Sequence, residues 1–490
     1  MPQVSCIHRT RFNVTRVLSL VLAILVIAPH FANAADKPNI ILCMADDQGW
    51  GDVGYNGHKI IKTPILDEMA AGALRFDRFY SAAPVCSPTR GSVLTGRHPN
   101  RFSCFSWGHT LRPQEVTIAE ALKTAGYATG HFGKWHLGSV RAKSPVCPGN
   151  SGFDTWFSSP NFFENSPLMS SNGKVVQAKG ESSLVTVNAA LDFIGKQAQN
   201  DKPVLAVVWF GSPHTPHIAG PVEKELYKQY PLRAMNYYAE ITGIDSAMGM
   251  LRTGLRDLDI AENTVVWYTS DNGSRSPGST GGLRGQKGTL YEGGIRVPTI
   301  IEWPARIKKP RRTSIPCNTV DIYPTVVELT GVTVPEQPKP LDGISLVSLI
   351  DGKMEARSKP LGFWVYPASG RPVRSSVLLK EIAEEKRTGK PSTDPMKTDA
   401  NAGKLTKRYS ADELPGNAAL IDGDYKLHRR VAKTGKGPIA YELYDLKADP
   451  HETTNIADTA TDQLRKMKSA LAAWQKSVIG SLNGDDYKTK

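Results

Sequence analysis

Cys86-Ser87-Pro88-Thr89-Arg90 runs on through Gly91 to Thr95-Gly96-Arg97. Pro88 suits the first turn of a helix, where its missing N–H costs nothing. A helix starting here sets Cys86 and Arg90 near one another at its N-terminus. Free N–H groups and the helix dipole favour an anion at such an end. The same residues also describe a buried or disulfide-bonded cysteine before an ordinary helix, and five residues do not decide between the two.

Four more polar groups follow the ends of apolar runs. Asp46-Asp47 comes after Asn39–Ala45, and Asp271-Asn272 comes after Thr264–Ser270. Ser212-Pro213-His214 follows Val204–Phe210, with His217 just beyond. Lys134 and His136 follow a strand over Tyr127–Gly130, and their period-two spacing allows both to point to one face. Taken singly, each has a plain structural reading as a turn, a cap or a loop residue. Together they gather at the carboxyl ends of strands, where open α/β sheets bind ligands. Asp46, Asp47, Asp271 and Asn272 offer only oxygens, which suits a hard cation. Calcium accepts adjacent carboxylates more readily than magnesium does.

The chain resembles the formylglycine-dependent sulfatases, arylsulfatase-like members of the alkaline phosphatase superfamily. The resemblance rests on C-S-P-T-R with T-G-R, D-D-Q-G at 46–49, G-K-W-H-L-G at 133–138 and S-P-H-T-P at 212–216. It also rests on S-D-N-G at 270–273 and on R-G-Q-K-G followed by E-G-G-I-R-V-P between 284 and 298. These segments span nearly the whole chain in family order. The resemblance implies that Cys86 is oxidised to formylglycine, whose hydrated aldehyde attacks sulfur. It implies one calcium ion held by Asp46, Asp47, residue 86, Asp271 and Asn272. Arg90, Lys134 and Lys287 would surround the sulfuryl oxygens with positive charge. His214 would protonate the leaving oxygen, and His136 would help to release sulfate from the covalent intermediate. Arg284 is read as a structural or gate residue, and His217 as a neighbour of the site or a substrate-facing residue. Maturation would need a formylglycine-generating enzyme. The expected activity is hydrolysis of a sulfate ester on a carbohydrate or an aryl group. A phosphonate or phosphodiester hydrolase and a non-catalytic glycan-binding protein are the competing readings.

The elements that must position these groups form an α/β protein with a large doubly wound, mixed but mostly parallel sheet flanked by helices. Helices are expected over Thr63–Leu74, Thr117–Thr124, Leu184–Gln197 and Met235–Leu258, and strands over Phe76–Tyr80 and Thr299–Trp303. Residues 143–179, rich in Ser, Pro, Gly and Asn, are expected to form loops. The catalytic domain is placed at 35–360. A smaller C-terminal α+β subdomain at 361–490 would hold antiparallel strands at Ala418–Ile421, Tyr425–His428 and Tyr441–Leu446, with a terminal helix over Thr461–Val478. Within it, residues 380–408 are charged and are expected to be an exposed, solvated insertion.

Composition sets the setting. Arg9, Arg11 and Arg16 precede the apolar run Val17–Ala28, and Ala32-Asn33-Ala34 forms an A-x-A cleavage site, so 1–34 reads as a secretory signal. Its apolar run is short for a membrane span, and no stable membrane insertion is expected. The product would be secreted or periplasmic. Losing those three arginines takes the net charge from +13 to +10. A basic surface suits a sulfated glycan; nucleic acid is not expected, because no nucleic-acid module is present. Five cysteines remain after Cys6 departs with the signal, an odd number that leaves at least one unpaired. A bridge among Cys104, Cys147 and Cys317 is left open.

Overall fold

The computed structural model describes residues 37–334, 336–432 and 438–487. The expected secretory signal lies outside them. Strand β1 (Asn39–Ala45) sits at the middle of the molecule. Ile40, Leu42 and Met44 enter one apolar cluster, and Ile41, Cys43 and Ala45 enter another on the opposite face. A strand buried on both faces needs a nearly continuous apolar run, and this one has it.

The strands that follow are β2 (Leu74–Phe76), β3 (Phe79–Tyr80), β4 (Ala128–Lys134), β5 (Thr155–Ser159), β6 (Leu168–Ser171) and β7 (Lys174–Gln177). Next come β8 (Val204–Trp209), β9 (Thr264–Ser270), β10 (Thr299–Glu302) and β11 (Arg311–Thr313). All but β3 form one ten-stranded sheet in the order β11-β2-β10-β9-β1-β8-β4-β5-β6-β7. Its centre, β9-β1-β8-β4-β5, is parallel throughout. Helices Pro64–Gly72, Ser182–Ala198 and Leu232–Asp257 cover one face with Leu66, Phe193 and Met248. Helices Cys86–Thr95, Ile118–Thr124 and Ile322–Thr330 cover the other with Leu94, Leu122 and Val326. Each such side chain contributes about 1.5–3 kcal/mol on burial. The strand ends therefore rest on a stiff platform.

β3 pairs with β12 (Cys317–Asn318) in a separate two-stranded ladder. A second sheet holds β13 (Leu361–Val365), β14 (Asn417–Asp422), β15 (Tyr425–Arg430) and β16 (Ala440–Asp445), all antiparallel. Helix Thr461–Leu482 lays Met467, Leu471 and Val478 on Leu420, Leu427 and Leu443 of that sheet. Among the described residues no helix is long and apolar enough to cross a membrane.

Several expectations need correction. Residues 143–179 contain β5, β6 and β7, which extend the large sheet. Their polar sequence reflects a position towards the edge, where Lys174 and Gln177 are exposed. The single strand expected over Phe76–Tyr80 splits at Asp77-Arg78 into strands of two different sheets. β4 continues past Gly130 to Lys134, and Gly133 within it is there for close packing. At Gly133, φ is 98° and a Cβ would lie 1.8 Å from the Trp209 carbonyl oxygen. Residues 380–408 are largely exposed, as expected, but they are anchored rather than free. Helix Ser375–Thr388 buries Leu379 and Ile382 and packs on β6 and β7. Arg141 pairs with Glu385 at 2.8 Å, and Asp399 accepts the Ser139 N–H at 2.6 Å. One apolar pair three residues apart inside a charged run carries this anchoring. Cys104, Cys147 and Cys317 are all buried and unbridged.

Candidate active site

Four neighbouring parallel strands, β9, β1, β8 and β4, end side by side. Their carboxyl ends deliver Asp271-Asn272, Asp46-Asp47, the His214 segment and Lys134 in turn. Backbone hydrogen bonds lock these ends together: the Asp46 N–H donates to the Ser212 carbonyl at 2.9 Å and the Asp271 N–H to Ala45 at 3.1 Å. Asp47 sits at φ 71°, a conformation that Asp tolerates better than most residues, and its N–H donates to Asp271 Oδ1 at 3.1 Å. Helix Cys86–Thr95 begins against this cluster with Cys86 1% exposed. Cys86 Sγ is 3.9 Å from Asp47 Oδ1 and 3.5 Å from Lys287 Nζ.

Three carboxylates face three cations here. Lys134 Nζ is 2.6 Å from Asp46 Oδ2, and Lys287 Nζ is 2.5 and 2.6 Å from the two Asp47 oxygens. Arg90 donates from Nε and Nη2 to Asp271 Oδ2, at 3.1 and 2.7 Å, and from Nη1 to the Lys134 carbonyl at 3.1 Å. Its guanidinium lies over the Trp209 ring and has no exposed surface. Arg90 therefore acts on the site through Asp271 and the end of β4.

Burial alone would push the Asp46 and Asp47 carboxyls up. Lys134 is the strongest opposing charge on Asp46 and Lys287 on Asp47, with His214 assisting both, and the net effect lowers both, Asp46 well below the usual carboxylate range. Asp271 moves the other way, to about 7, because burial and the Asp46 charge outweigh Arg90. Burial pushes the Cys86 thiol up to about 12, which keeps it a neutral thiol near pH 7. An unmodified Cys86 is thus a poor nucleophile.

The donor set fits a hard divalent cation. Ligand atoms of Asp46, Asp47, Cys86 and His214 all lie within 4.8 Å of one another. Asp46 Oδ1, ion-paired with Arg90 Nη2 at 3.6 Å, and Asn272 Oδ1 are buried and accept no hydrogen bond. Buried acceptors without a hydrogen bond are costly, and a cation would satisfy both. With the local carboxylates and cations already balanced, a divalent ion would leave the site positive and ready for an anion.

The histidines divide. His214 Nδ1 is 2.6 Å from the Thr215 carbonyl and Nε2 is 3.8 Å from Asp47 Oδ2, while its ring stacks on Phe162 at 4.5 Å. Burial lowers its pKa against the pull of Asp46 and Asp47. His136 follows β4 at φ 53°, so its placement comes from a left-handed turn and not from strand alternation. Both its ring nitrogens are buried and unpartnered, and burial with Lys134 and Arg90 pushes its pKa well down. His217 turns to Glu240, with Nδ1 3.5 Å from Oε2, and lies outside the carboxylate cluster.

Sequence reasoning missed the supports. Phe162 lay in a stretch read as loop. The Lys287 loop is held from behind by Glu292, which accepts from Tyr80 Oη at 3.1 Å and from the buried Lys426 at 2.8 Å. Glu452 binds Lys426 at 3.2 Å and His428 at 2.7 Å, which ties β15 of the small sheet to that loop. The available signal was Lys426 and His428 alternating with apolar residues in a strand. Arg284 is a clamp of the same kind: it donates to Tyr444 Oη at 2.9 Å and to the Glu452 carbonyl at 2.8 Å.

Comparison with known proteins places this geometry. The family model described as Sulfatase matches residues 38–332. Arylsulfatase A of Homo sapiens is 31% identical over 464 residues, covering 86% of this chain and 84% of its own. An ulvan-active sulfatase of Formosa agariphila is 31% identical over 433 residues, covering 81% and 82%. Among solved structures, Ps i-CgsB in complex with k-i-k-neocarrahexaose superposes with TM-score 0.73 at 22% identity, covering 91% of this chain and 98% of that one.

Proposed function

The chain belongs to the sulfatase family, and from that premise we propose how this sulfuric ester hydrolase works and on what. The substrate is a sulfated carbohydrate, the cysteine at 86 matures to formylglycine, and one calcium ion is bound by Asp46, Asp47, residue 86, Asp271 and Asn272. The observation that carries this reading is the setting of Cys86: a helix N-terminus facing Asp47 and Lys287, beside the oxygens of Asp46 and Asn272 that accept no hydrogen bond.

When present, formylglycine would supply a hydrated aldehyde as the nucleophile, and calcium would supply Lewis acidity towards a sulfate oxygen. The chain's own residues do the rest. Lys134 and Lys287 place ammonium groups beside the reacting centre and bind the sulfuryl oxygens as their charge grows. Arg90 holds Asp271 and the end of β4 in place. With the Nδ1–H of His214 given to the Thr215 carbonyl, it is the imidazolium form, favoured by the Asp46 and Asp47 charges against burial, that carries the Nε2 proton passed to the leaving oxygen. His136, with two unpartnered ring nitrogens, takes the proton that must leave when sulfate is released.

Carbohydrate is supported by the basic chain and by the relative described as ulvan-active. Export and maturation by a formylglycine-generating enzyme follow from the leader-like start and from Cys86. The test is direct. Protein co-expressed with a maturing enzyme is assayed on nitrophenyl sulfate and nitrophenyl phosphonate esters, and its Cys86 peptide is weighed. An aldehyde at residue 86 and preferential sulfate hydrolysis are expected. Full activity with only a free thiol at 86 overturns the formylglycine assignment, and preference for the phosphonate overturns the substrate class.

A further inference from the structure

Residues 371–409, which include the 380–408 stretch read from sequence as solvated, line two adjoining cavities, one of which reaches His136. One, of about 320 Å³, reaches from His136 and Thr110 to Arg371, Met396 and Asp399. The other, also about 320 Å³, shares Thr110, Arg371, Met396 and Asp399 and continues to Lys404, Lys407 and Tyr409. Both volumes fall in the range of small-ligand sites, about 300–1,000 Å³. They form one cleft with Arg371 at the junction.

Most charges lining this cleft are already engaged. Arg141 is bound to Glu385, Lys397 to Glu381, and Arg112 to the Leu482 carbonyl. Asp399 accepts from Ser139 N–H and Ser144 Oγ, and Asp394 caps Met396. Arg371 differs: it is exposed, and among the described residues its guanidinium makes no ion pair or hydrogen bond. Lys404 is likewise exposed and unpaired, and Lys407 lies over the Tyr409 ring.

The backbone beneath Arg371 is nevertheless fixed from two sides. Its N–H donates to the Trp107 carbonyl at 2.9 Å, and the next residue, Gly108, donates to Ser87 Oγ at 2.8 Å, adjacent to Cys86. Gly108 is required here: a Cβ would lie 2.1 Å from the Arg371 carbonyl oxygen. On the other side Asn161 Nδ2 donates to the Val373 carbonyl and Ser375 Oγ to the Phe162 carbonyl, both at 2.8 Å, and Phe162 carries the His214 ring. An exposed arginine fork without a direct ion pair, its charge felt by Asp399 across the cleft and its backbone tied to the segments carrying Ser87 and Phe162, is suited to an oxyanion that can accept two hydrogen bonds.

We propose that this cleft binds the part of a sulfated chain beyond the reacting sulfate, and that Arg371 is a specificity-determining residue that grips a second sulfate or carboxylate. Lys404 and Lys407 extend the same positive path. The proposal rests on the sulfatase reading of the site and adds to it a preference for extended, multiply charged chains.

The test measures binding to the full-length protein. A monosulfated monosaccharide is compared with hexasaccharides of chondroitin 6-sulfate, ulvan and carrageenan, for the native protein and for Arg371→Gln. At least one hexasaccharide is expected to bind about tenfold more tightly than the monosaccharide. Arg371→Gln should remove about tenfold of that affinity, the worth of one charge-assisted contact, and shift the monosaccharide by less than about twofold. Arg371→Lys should recover part of the loss. The proposal fails if no hexasaccharide outbinds the monosaccharide, if Arg371→Gln leaves hexasaccharide binding unchanged, or if both ligands weaken equally. Should Arg371→Gln unfold, the Lys404→Gln/Lys407→Gln pair must weaken the hexasaccharide in the same selective way, and unchanged binding there overturns the cleft. Nitrophenyl sulfate turnover by matured native protein reports separately on the sulfatase reading, because binding needs no turnover.

Discussion

Arg90 Nη2 lies 2.7 Å from Asp271 Oδ2, and neither side chain has any exposed surface. The same arginine holds the Lys134 carbonyl, so one residue from helix Cys86–Thr95 braces the ends of β9 and β4. Breaking a buried pair on one side leaves an uncompensated charge, which typically costs about 3–5 kcal/mol. Arg90→Gln should therefore lower the unfolding midpoint sharply and abolish turnover. Adding Asp271→Asn should restore much of the stability and none of the activity, because the orphaned charge is then gone. Urea unfolding of the two variants measures this; a double variant no more stable than Arg90→Gln would contradict it.

The second expectation concerns the cation. A ligand that binds only the folded chain stabilises it by RT ln(1 + [L]/Kd), about 2.7 kcal/mol at a hundredfold excess over Kd. Calcium should raise the Tm, and a chelator should reverse the rise. In Asp47→Ala, which removes one proposed ligand and the partner of Lys287, the calcium-dependent shift should vanish. A native protein whose Tm and elemental content ignore calcium would place these oxygens of Asp46 and Asn272, which accept no hydrogen bond, in some other role.

His98 gives a pH prediction remote from the reacting centre. It is 1% exposed, beside Trp474, and burial pushes its pKa down to about 3 although Asp342 pulls the other way. Between that value and the unfolded value of 6.5 the unfolded chain binds more protons. Stability is then complete above pH 6.5 and is lost as pH falls below it, by about 1.4 kcal/mol per pH unit. His131, lowered in the same direction by burial, adds to the trend. Comparing unfolding midpoints at pH 7 and pH 5, His98→Asn should show a flatter loss than the native chain. An equal loss in both would mean that His98 is not held neutral.

What the sequence made legible, and what it hid, follows from range. β1 and β9 were placed residue for residue because each is buried on two faces, which leaves an unbroken apolar signature. The polar groups at their ends could be read because they directly follow those runs. β5 to β7 could not, since strands near a sheet edge carry mixed residues whose pairing is decided by distant partners. The Lys426–Glu292 contact spans 134 positions, and no local pattern encodes it. For Arg90, the sequence supplied a cation near Cys86 and only the fold showed that Asp271 absorbs it. The 380–408 stretch is exposed as its charges suggest, but its anchoring was hidden, because Ile382 and the preceding Leu379 decide where it goes.

The last expectation concerns the leaving group. His214 stands beside the carboxylate cluster with Nδ1 committed to the Thr215 carbonyl and its ring fixed on Phe162. A sugar alkoxide is a poor leaving group and needs its proton as the S–O bond breaks. A nitrophenolate has low proton affinity and needs little help. General acid catalysis is worth about 10²–10⁴-fold where it is needed. His214→Ala should therefore cut kcat/KM by about that factor on a sulfated sugar and by far less on nitrophenyl sulfate. Phe162→Ala, which frees the ring without removing it, should give a smaller loss with the same selectivity. If His214 instead only binds the sulfuryl group, both substrates present the same group to it and must suffer equally. Steady-state kcat/KM for both variants on both substrates, with chemistry rate-limiting, separates the two roles, and equal losses would move the acid to His136.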